Sequence, residues 1–401
     1  MNLINQQSFQ IQSLQKDLKM KIQMNKKTVS QAGFSLVELM VGLVIGLLAT
    51  LAIMQVFGAF EEQKRSTSGT ADAQTNGSVA LYNLQRDVRL AGFGLPLFDK
   101  NNLSLKCAVI PTINHDVAAP APNVSAATPN ISLAAIDIID GGTAAGASDT
   151  VIVRYGNSPS GGIVMPVVSV VGAAVGVLNS MGCAINDIAI SIKDNACVAA
   201  NVETVTDATD VMTLKSPFPA VNIEDSFACL GRWNEYRYAV LGNQLTRFDT
   251  YNNTAPAPMV AGIVNIQAQY GISDKPDSNQ ITQWVNATGA WETQIHPATG
   301  AYLKTPGNVS LTCNALNANR NCIKAVRVAI VARNDLLEKT VVTSAAVSSW
   351  DATSASPTVA SPAPIIDLSN TPNWNQYRYK VYESIIPLRN IIWTRERLED
   401  V

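Results

Sequence analysis

The sequence predicts an α+β protein, with one long N-terminal helix ahead of an antiparallel, β-rich C-terminal domain that carries long loop insertions. Three observations predict it. The chain is nearly continuously apolar from Phe34 to Phe60, and no proline occurs between Phe34 and Leu95, so nothing there interrupts a helix. An amphipathic stretch follows. Beyond Leu95, short β-branched and aromatic runs are separated by segments rich in Ala, Ser, Pro and Gly, the punctuation of strands and loops.

Charge divides the 401 residues unevenly. Residues 1–33 hold five lysines (Lys16, Lys19, Lys21, Lys26, Lys27) and one acid, Asp17; the rest holds 24 basic and 30 acidic side chains, a net of −6. A basic leader ahead of an apolar run is an export pattern. The body has no basic stripe, which argues against nucleic acid as a partner. Residues 1–25 are polar and Gln-rich, and Met20 and Met24 offer later starts than Met1.

The long helix divides by chemistry. About twenty apolar residues cross a bilayer core, which assigns 34–60 to a membrane or assembly half. Residues 61–94 form the second half. Leu81, Leu84, Val88 and Ala91 fall on one helical stripe there, and Gly92, Gly94 and Pro96 stop the helix. Gly69 and Gly77 read as points where it bends or breaks. The β-rich domain spans 95–401. Strand candidates are 149–155, 187–192, 263–270, 324–333 and 376–382, and Gly242-Asn243 signals a two-residue hairpin. In 326–333, Arg327, Ala329, Val331 and Arg333 alternate with Val326, Val328, Ile330 and Ala332, as in a sheet with one apolar face. The aromatics Trp374, Tyr377, Tyr379, Tyr382 and Trp393 read as core. Low-complexity runs at 118–130, 141–148 and 343–364 read as surface insertions.

Six cysteines follow the apolar segment: Cys107, Cys183, Cys197, Cys229, Cys313 and Cys322. An even count in an exported region suggests disulfides. Spacing suggests local loops Cys183–Cys197 and Cys313–Cys322, leaving Cys107 with Cys229, among many connectivities. With no CxxC pair and only His115 and His296, a metal site is not expected. No catalytic constellation or phosphate loop is present, and Asp274 and Asp277 lack calcium-loop spacing. No enzyme activity and no cofactor are expected.

One feature of the apolar run needs a reason. Glu38 puts a carboxylate into a segment where a charge costs about 3 kcal/mol at mid-membrane. The order Lys26-Lys27, a short polar spacer, then "GFSLVELMVGLVIG" from Gly33 resembles the type IV prepilin class. The resemblance implies a pilin-like fold and removal of a 1–33 leader by a prepilin peptidase/methyltransferase, which cuts after Gly33 and N-methylates Phe34. Between stacked subunits the new Phe34 amine can meet a neighbour's Glu38, each offsetting the other's desolvation. The bland alternative is an interfacial acid in a plain anchor. Gly42 and Gly46 form a G-x-x-x-G, which permits close helix approach.

The segments "LYNLQRDVRLAGFG" (81–94) and "AVRVAIVARN…YRYKVYESIIPLRNIIW" (325–393) are similar to PilW-type minor pilins. Arg86, Asp87 and Arg89 match the element that ends the long helix in that family, and Leu388, Arg389 and Asn390 match its closing strand. Arg86 and Arg89 sit off the apolar stripe, able to reach acids on the sheet, and Arg389 is expected partly buried with a partner. The resemblance implies a minor pilin of a type IV pilus that helps initiate assembly in a tip complex. Implied partners are other minor pilins, the major pilin, the peptidase and the inner-membrane assembly machinery, with a tip adhesin as a further candidate. It also implies an inner-membrane single pass with the N-terminus cytoplasmic, then a place in the fibre. The rivals are a type II secretion pseudopilin and a membrane-tethered adhesin or enzyme.

Overall fold

A computed structural model describes residues 33–95, 132–193, 196–215, 221–250, 255–295, 302–304, 306, 310–343, 347–348, 358–359 and 365–392. Cys107, His115, His296, Trp393 and residues 118–130 lie outside these. The chain divides into two compact units, 1–64 and 65–401. Helix α1 spans Leu36–Leu90.

In the first unit every described residue is exposed, and α1 is long and apolar enough there to cross a membrane. Water is a poor solvent for such a surface, so this segment is built for lipid or for other helices.

In the second unit α1 buries Gly69, Ala73, Gly77, Ala80, Leu84, Asp87 and Val88, spaced three and four apart as one helical face requires. Ala91 is buried just beyond. The glycines are packing residues rather than break points. A Cβ on Gly77 would come within 2.2 Å of the Tyr382 ring, and one on Gly69 within 2.3 Å of the Asn334 amide. Their missing side chains let the sheet approach the helix backbone.

The strands follow in order. They are β1 (Ile136–Ile139), β2 (Thr150–Tyr155), β3 (Met165–Val171), β4 (Ala174–Val177), β5 (Ile188–Lys193), β6 (Ala196–Thr206) and β7 (Val211–Leu214). Next come β8 (Ser226–Gly231), β9 (Asn234–Leu241), β10 (Gln244–Asp249), β11 (Ala257–Ala261), β12 (Ile263–Ile272), β13 (Gln283–Val285), β14 (Gln294–Ile295) and β15 (Tyr302–Lys304). The last are β16 (Ile323–Arg333), β17 (Val347–Ser348), β18 (Thr358–Val359), β19 (Ile365–Ile366) and β20 (Tyr379–Pro387), followed by a short helix α2 (Arg389–Ile392).

Two five-stranded sheets result, ordered β1-β2-β9-β10-β11 and β18-β13-β12-β16-β20. All their pairings are antiparallel except β13 with β18. Strands β9 and β10 join at Gly242 and Asn243, both left-handed (φ 57° and 60°), the conformation a tight hairpin needs.

Strand β16 is buried on both faces, which corrects the expected one-sided sheet. Val326, Val328, Ile330 and Ala332 share a core with Ala73, Ala80, Leu84 and Val88 of α1. On the opposite face Arg327 lies 4.9 Å from the Trp284 ring centroid and Arg333 4.2 Å from that of Tyr377. Val331 packs there with Ile366 and Leu368. The returning segment around 365–377 covers the face that the alternation assigned to water. The C-terminal aromatics sit at the margins instead of the deep core: Tyr379 and Tyr382 are only partly buried, and Trp374 opens a 3-10 turn. Of the low-complexity runs, 141–148 is anchored. The side-chain amides of Asn265 and Gln267 donate to the Ala147 carbonyl at 2.6 and 3.1 Å.

Between β2 and β9 the chain forms a closed barrel, β3-β4-β7-β6-β5-β8. Its core holds Met165, Val167, Val175, Val202, Met212 and Phe227. Strands β5 and β8 are walls between two cores. Ala189 and Cys229 face the barrel, while their neighbours Ile188, Ile190, Ala228 and Leu230 join the core under α1.

Candidate assembly interface

The residues expected to serve in processing and assembly sit at the start of α1. Gly33, Phe34 and Ser35 precede the helix. The Ser35 carbonyl accepts from Leu39 N–H at 3.1 Å and its hydroxyl from Val37 N–H at 3.3 Å, so a short polar side chain starts the helix. Glu38 lies in the first turn, where the helix dipole favours a negative charge. Gly42 and Gly46 face open space with no atom within 4 Å of a built Cβ. The Thr50 hydroxyl folds back on the Gly46 and Leu47 carbonyls at 3.0 and 2.8 Å, which satisfies a polar group in an apolar stretch. Phe34 and the apolar side chains after it point outward all round the helix.

The other predicted residues cluster where α1 ends. Asp87 is buried and accepts from the Tyr238 hydroxyl, from Arg86 Nε at 3.0 Å and from Arg247 NH1 at 3.4 Å. The expected direction is therefore reversed. Arg86 pairs with Asp87 on its own helix, and the sheet supplies a phenol and a guanidinium to that carboxylate. Burial, then the Asp87 charge, pushes the Tyr238 phenol well up from its ordinary value. The neighbouring Tyr155 is pushed up to about 12, mainly by burial. Arg89 is exposed.

The closing motif divides differently from its reading in sequence. Leu388 is fully buried, Arg389 is exposed, and Asn390 does the joining. Its side-chain amide donates to the carbonyls of Arg89, Leu90 and Ala91 at 3.3, 3.3 and 3.1 Å. They lie at the helix end, where carbonyls lack an i+4 N–H partner; the Leu90 carbonyl also accepts from Phe93 N–H at 2.9 Å. Gly92, at φ 78°, then turns the chain and its N–H bonds to the Arg154 carbonyl at 2.9 Å.

Sequence reasoning missed a second buried node. Arg154 is fully buried; its Nε donates to Glu235 at 2.7 Å and its NH1 to Asp137 at 2.8 Å. The signal was a charge directly after the apolar run of "TVIVRY", which demands partners if buried.

The disulfides require two corrections. Cys313–Cys322 forms, but Cys183 bonds Cys229, which overturns both the Cys183–Cys197 and the Cys107–Cys229 expectations. The reason is topological: β5 and β8 pair side by side, which brings the loop before β5 onto β8. Cys197 is also disulfide-bonded. Among the described residues, no group of three His, Cys, Asp or Glu is placed to hold a metal.

Comparison with known families finds two matches. Residues 239–390 match the model described as type IV pilus-assembly protein W, PilW. Residues 29–54 match the prokaryotic N-terminal methylation motif. Neither the curated proteins nor the solved structures provide a match.

Proposed function

We propose that this chain, a PilW-type pilin with a prepilin motif, acts as a minor pilin that initiates a type IV pilus from a tip complex. The prepilin-type motif and the apolar helix, the one long enough to cross a membrane among the described residues, fit a single-pass membrane-anchored protein. The observation that carries the reading is their combination: a methylation motif opens a helix whose apolar first part is exposed throughout, and a folded domain whose residues 239–390 match PilW follows it.

In this reading the peptidase cuts after Gly33, and the Phe34 amine pairs with Glu38 of the adjoining subunit. Both charges are costly in lipid when alone and less so when paired, so only the correct register is stabilised. Gly42 and Gly46 let neighbouring helices approach closely. The Asp87 and Asn390 contacts hold the second half of the helix on its own domain. Other pilins and the inner-membrane assembly machinery are the partners. The role is structural, with no bond made or broken by this chain.

The test is the mass and N-terminal sequence of membrane-extracted protein, with and without the prepilin peptidase. A mature chain starting at N-methyl-Phe34 only when the peptidase is present supports the reading. An intact leader in both strains sinks it. Glu38→Ala should then leave cleavage intact and lower the number of fibres.

A further inference from the structure

One end of the second unit is tethered closely to the segment built for lipid. The apolar run stops at Phe60, and Glu61-Glu62-Gln63-Lys64-Arg65 follows. Phe60 and Gly69 are nine residues apart, a reach of at most about 32 Å when extended and about 14 Å as helix. Gly69 packs on Asn334, directly beyond the end of β16. The other end of β16 belongs with the end of α1: the Lys324 carbonyl accepts from Leu388 N–H at 2.8 Å, and the Asn390 amide reaches the last helical turn. Residues 334–343 therefore lie at the end of the sheet that α1 meets first after the apolar run.

That end carries the side chains that a lipid–water boundary favours. Leu336, Leu337 and Val341 are exposed, Val341 at 59%. The segment bonded to their loop holds Trp374 and Tyr377, both half-buried. Such rings gather at membrane interfaces because they join an apolar body to a polar edge. The loop is tied down. Glu338 N–H donates to the Gln376 carbonyl and Val342 N–H to the Asn375 carbonyl, both at 2.9 Å, and the Thr343 hydroxyl donates to the Tyr377 carbonyl at 2.7 Å. A loop held this firmly loses little entropy on binding. Its acids are paired: Glu338 with Arg378 Nε at 2.9 Å, and Asp335 with Arg333 Nη2 at 3.7 Å.

We infer that the folded domain rests on the bilayer surface through this loop, with Leu336, Leu337 and Val341 in the headgroup region and the two aromatic rings at its edge. Three apolar side chains are far fewer than the ~20 residues a side of a stable protein contact. A bilayer anchored nine residues away needs much less. The contact becomes intramolecular, at an effective concentration of about millimolar, so even a weak one is occupied. The inference rests on α1 lying in the membrane and not on any role in the fibre. The contact belongs to the chain in lipid and is lost once α1 leaves the bilayer.

The test uses the full chain in phosphatidylcholine vesicles, unreduced so that the disulfides stay closed. A nitroxide is attached to one added cysteine at a time, from Leu43→Cys, Leu316→Cys or Leu337→Cys, with the unsubstituted chain as the labelling blank. Leu43, in the apolar run, is the lipid control. Leu316 is the water control: it is 84% exposed on the loop closed by Cys313–Cys322, at the opposite end of β16 and about 33 Å away. Collisions with oxygen, which gathers in lipid, are compared with collisions with a water-soluble nickel chelate. The Leu337 label should show an oxygen-to-nickel ratio severalfold above that at Leu316, at a depth of about 5–10 Å. Val341→Asp should return that ratio to the Leu316 level with the circular dichroism unchanged. A Leu337 label as open to nickel as the one at Leu316, or shut off from both reagents by protein, overturns the inference, and so does a ratio that Val341→Asp leaves unchanged. In each of these cases a Leu43 label in lipid leaves the membrane anchor intact. A Leu43 label open to nickel overturns the anchor and the inference together.

Discussion

Gly77→Ala sets helix propensity against packing at a single atom. Alanine gains about 1 kcal/mol over glycine inside a helix. The new Cβ, however, would lie 2.2 Å from one Tyr382 ring carbon and 2.3 Å from the next. Ordinary contact needs more than an ångström of further room. The ring belongs to β20, whose pairing with β16 runs from Ala325↔Pro387 to Arg333↔Tyr379, so the strand cannot slide away. Overpacking of this kind costs about 1–3 kcal/mol, which outweighs the propensity gain. Gly77→Ala should therefore be destabilising by about 1 kcal/mol. In a Tyr382→Ala background the clash is gone and the same substitution should stabilise by about 1 kcal/mol. Urea unfolding of the four chains, followed by circular dichroism, gives the coupling directly. Equal stabilisation by Gly77→Ala in both backgrounds would refute the close-approach account of this glycine.

Three further outcomes follow from the same contacts. Asp87→Ala leaves the Tyr238 hydroxyl and Arg247 without their shared acceptor and should cost about 3 kcal/mol, read as a lower urea midpoint. Cys183→Ala with Cys229→Ala opens a 46-residue span and should cost about 4 kcal/mol on the chain-entropy account, and the difference from the unsubstituted chain should vanish when both are unfolded in reductant. Asp149 is pushed up from 3.8 to about 7, chiefly by burial. An acid raised in the folded state binds its proton more tightly there than when unfolded, so stability should fall as pH rises from about 4 to about 7 and level off above. Asp149→Asn should flatten that slope in thermal scans, although it gives up one of the two backbone bonds from Gly141 and Ala268.

Elements that depend on near neighbours were legible in sequence. The apolar run, the stripe through Leu84, Val88 and Ala91, and the Gly242-Asn243 turn are each fixed within a few residues. The strand at 324–333 was legible as a strand but not as a two-sided one, because its second cover comes from residues 365–377. Asp87 illustrates the limit. Its phenol partner, Tyr238, lies 151 residues away, and no local pattern announces it. The Cys183–Cys229 bridge was hidden for the same reason, since only the pairing of β5 with β8 brings the loop before β5 onto the strand that carries Cys229. Asn390 was matched by resemblance, but its work as a helix cap became visible only when the last turn of α1 was placed beside it. The barrel left the faintest trace, since its outward residues include valines, such as Val168 and Val171, as well as polar groups.

The shared walls of the barrel carry a consequence for inheritance. Tyr155 and Asn234 are partners across β2 and β9, so the chain leaves for the barrel and returns on one rung. A loop attached in that way looks like a cassette that one lineage could gain and another lose intact. Ile188, Ile190, Ala228 and Leu230 make that impossible. They are threaded through the insert yet fill the space beneath α1, and excising 156–233 would hollow out the core it leaves behind. Such an insert travels only with the helix and sheet that grew up against it.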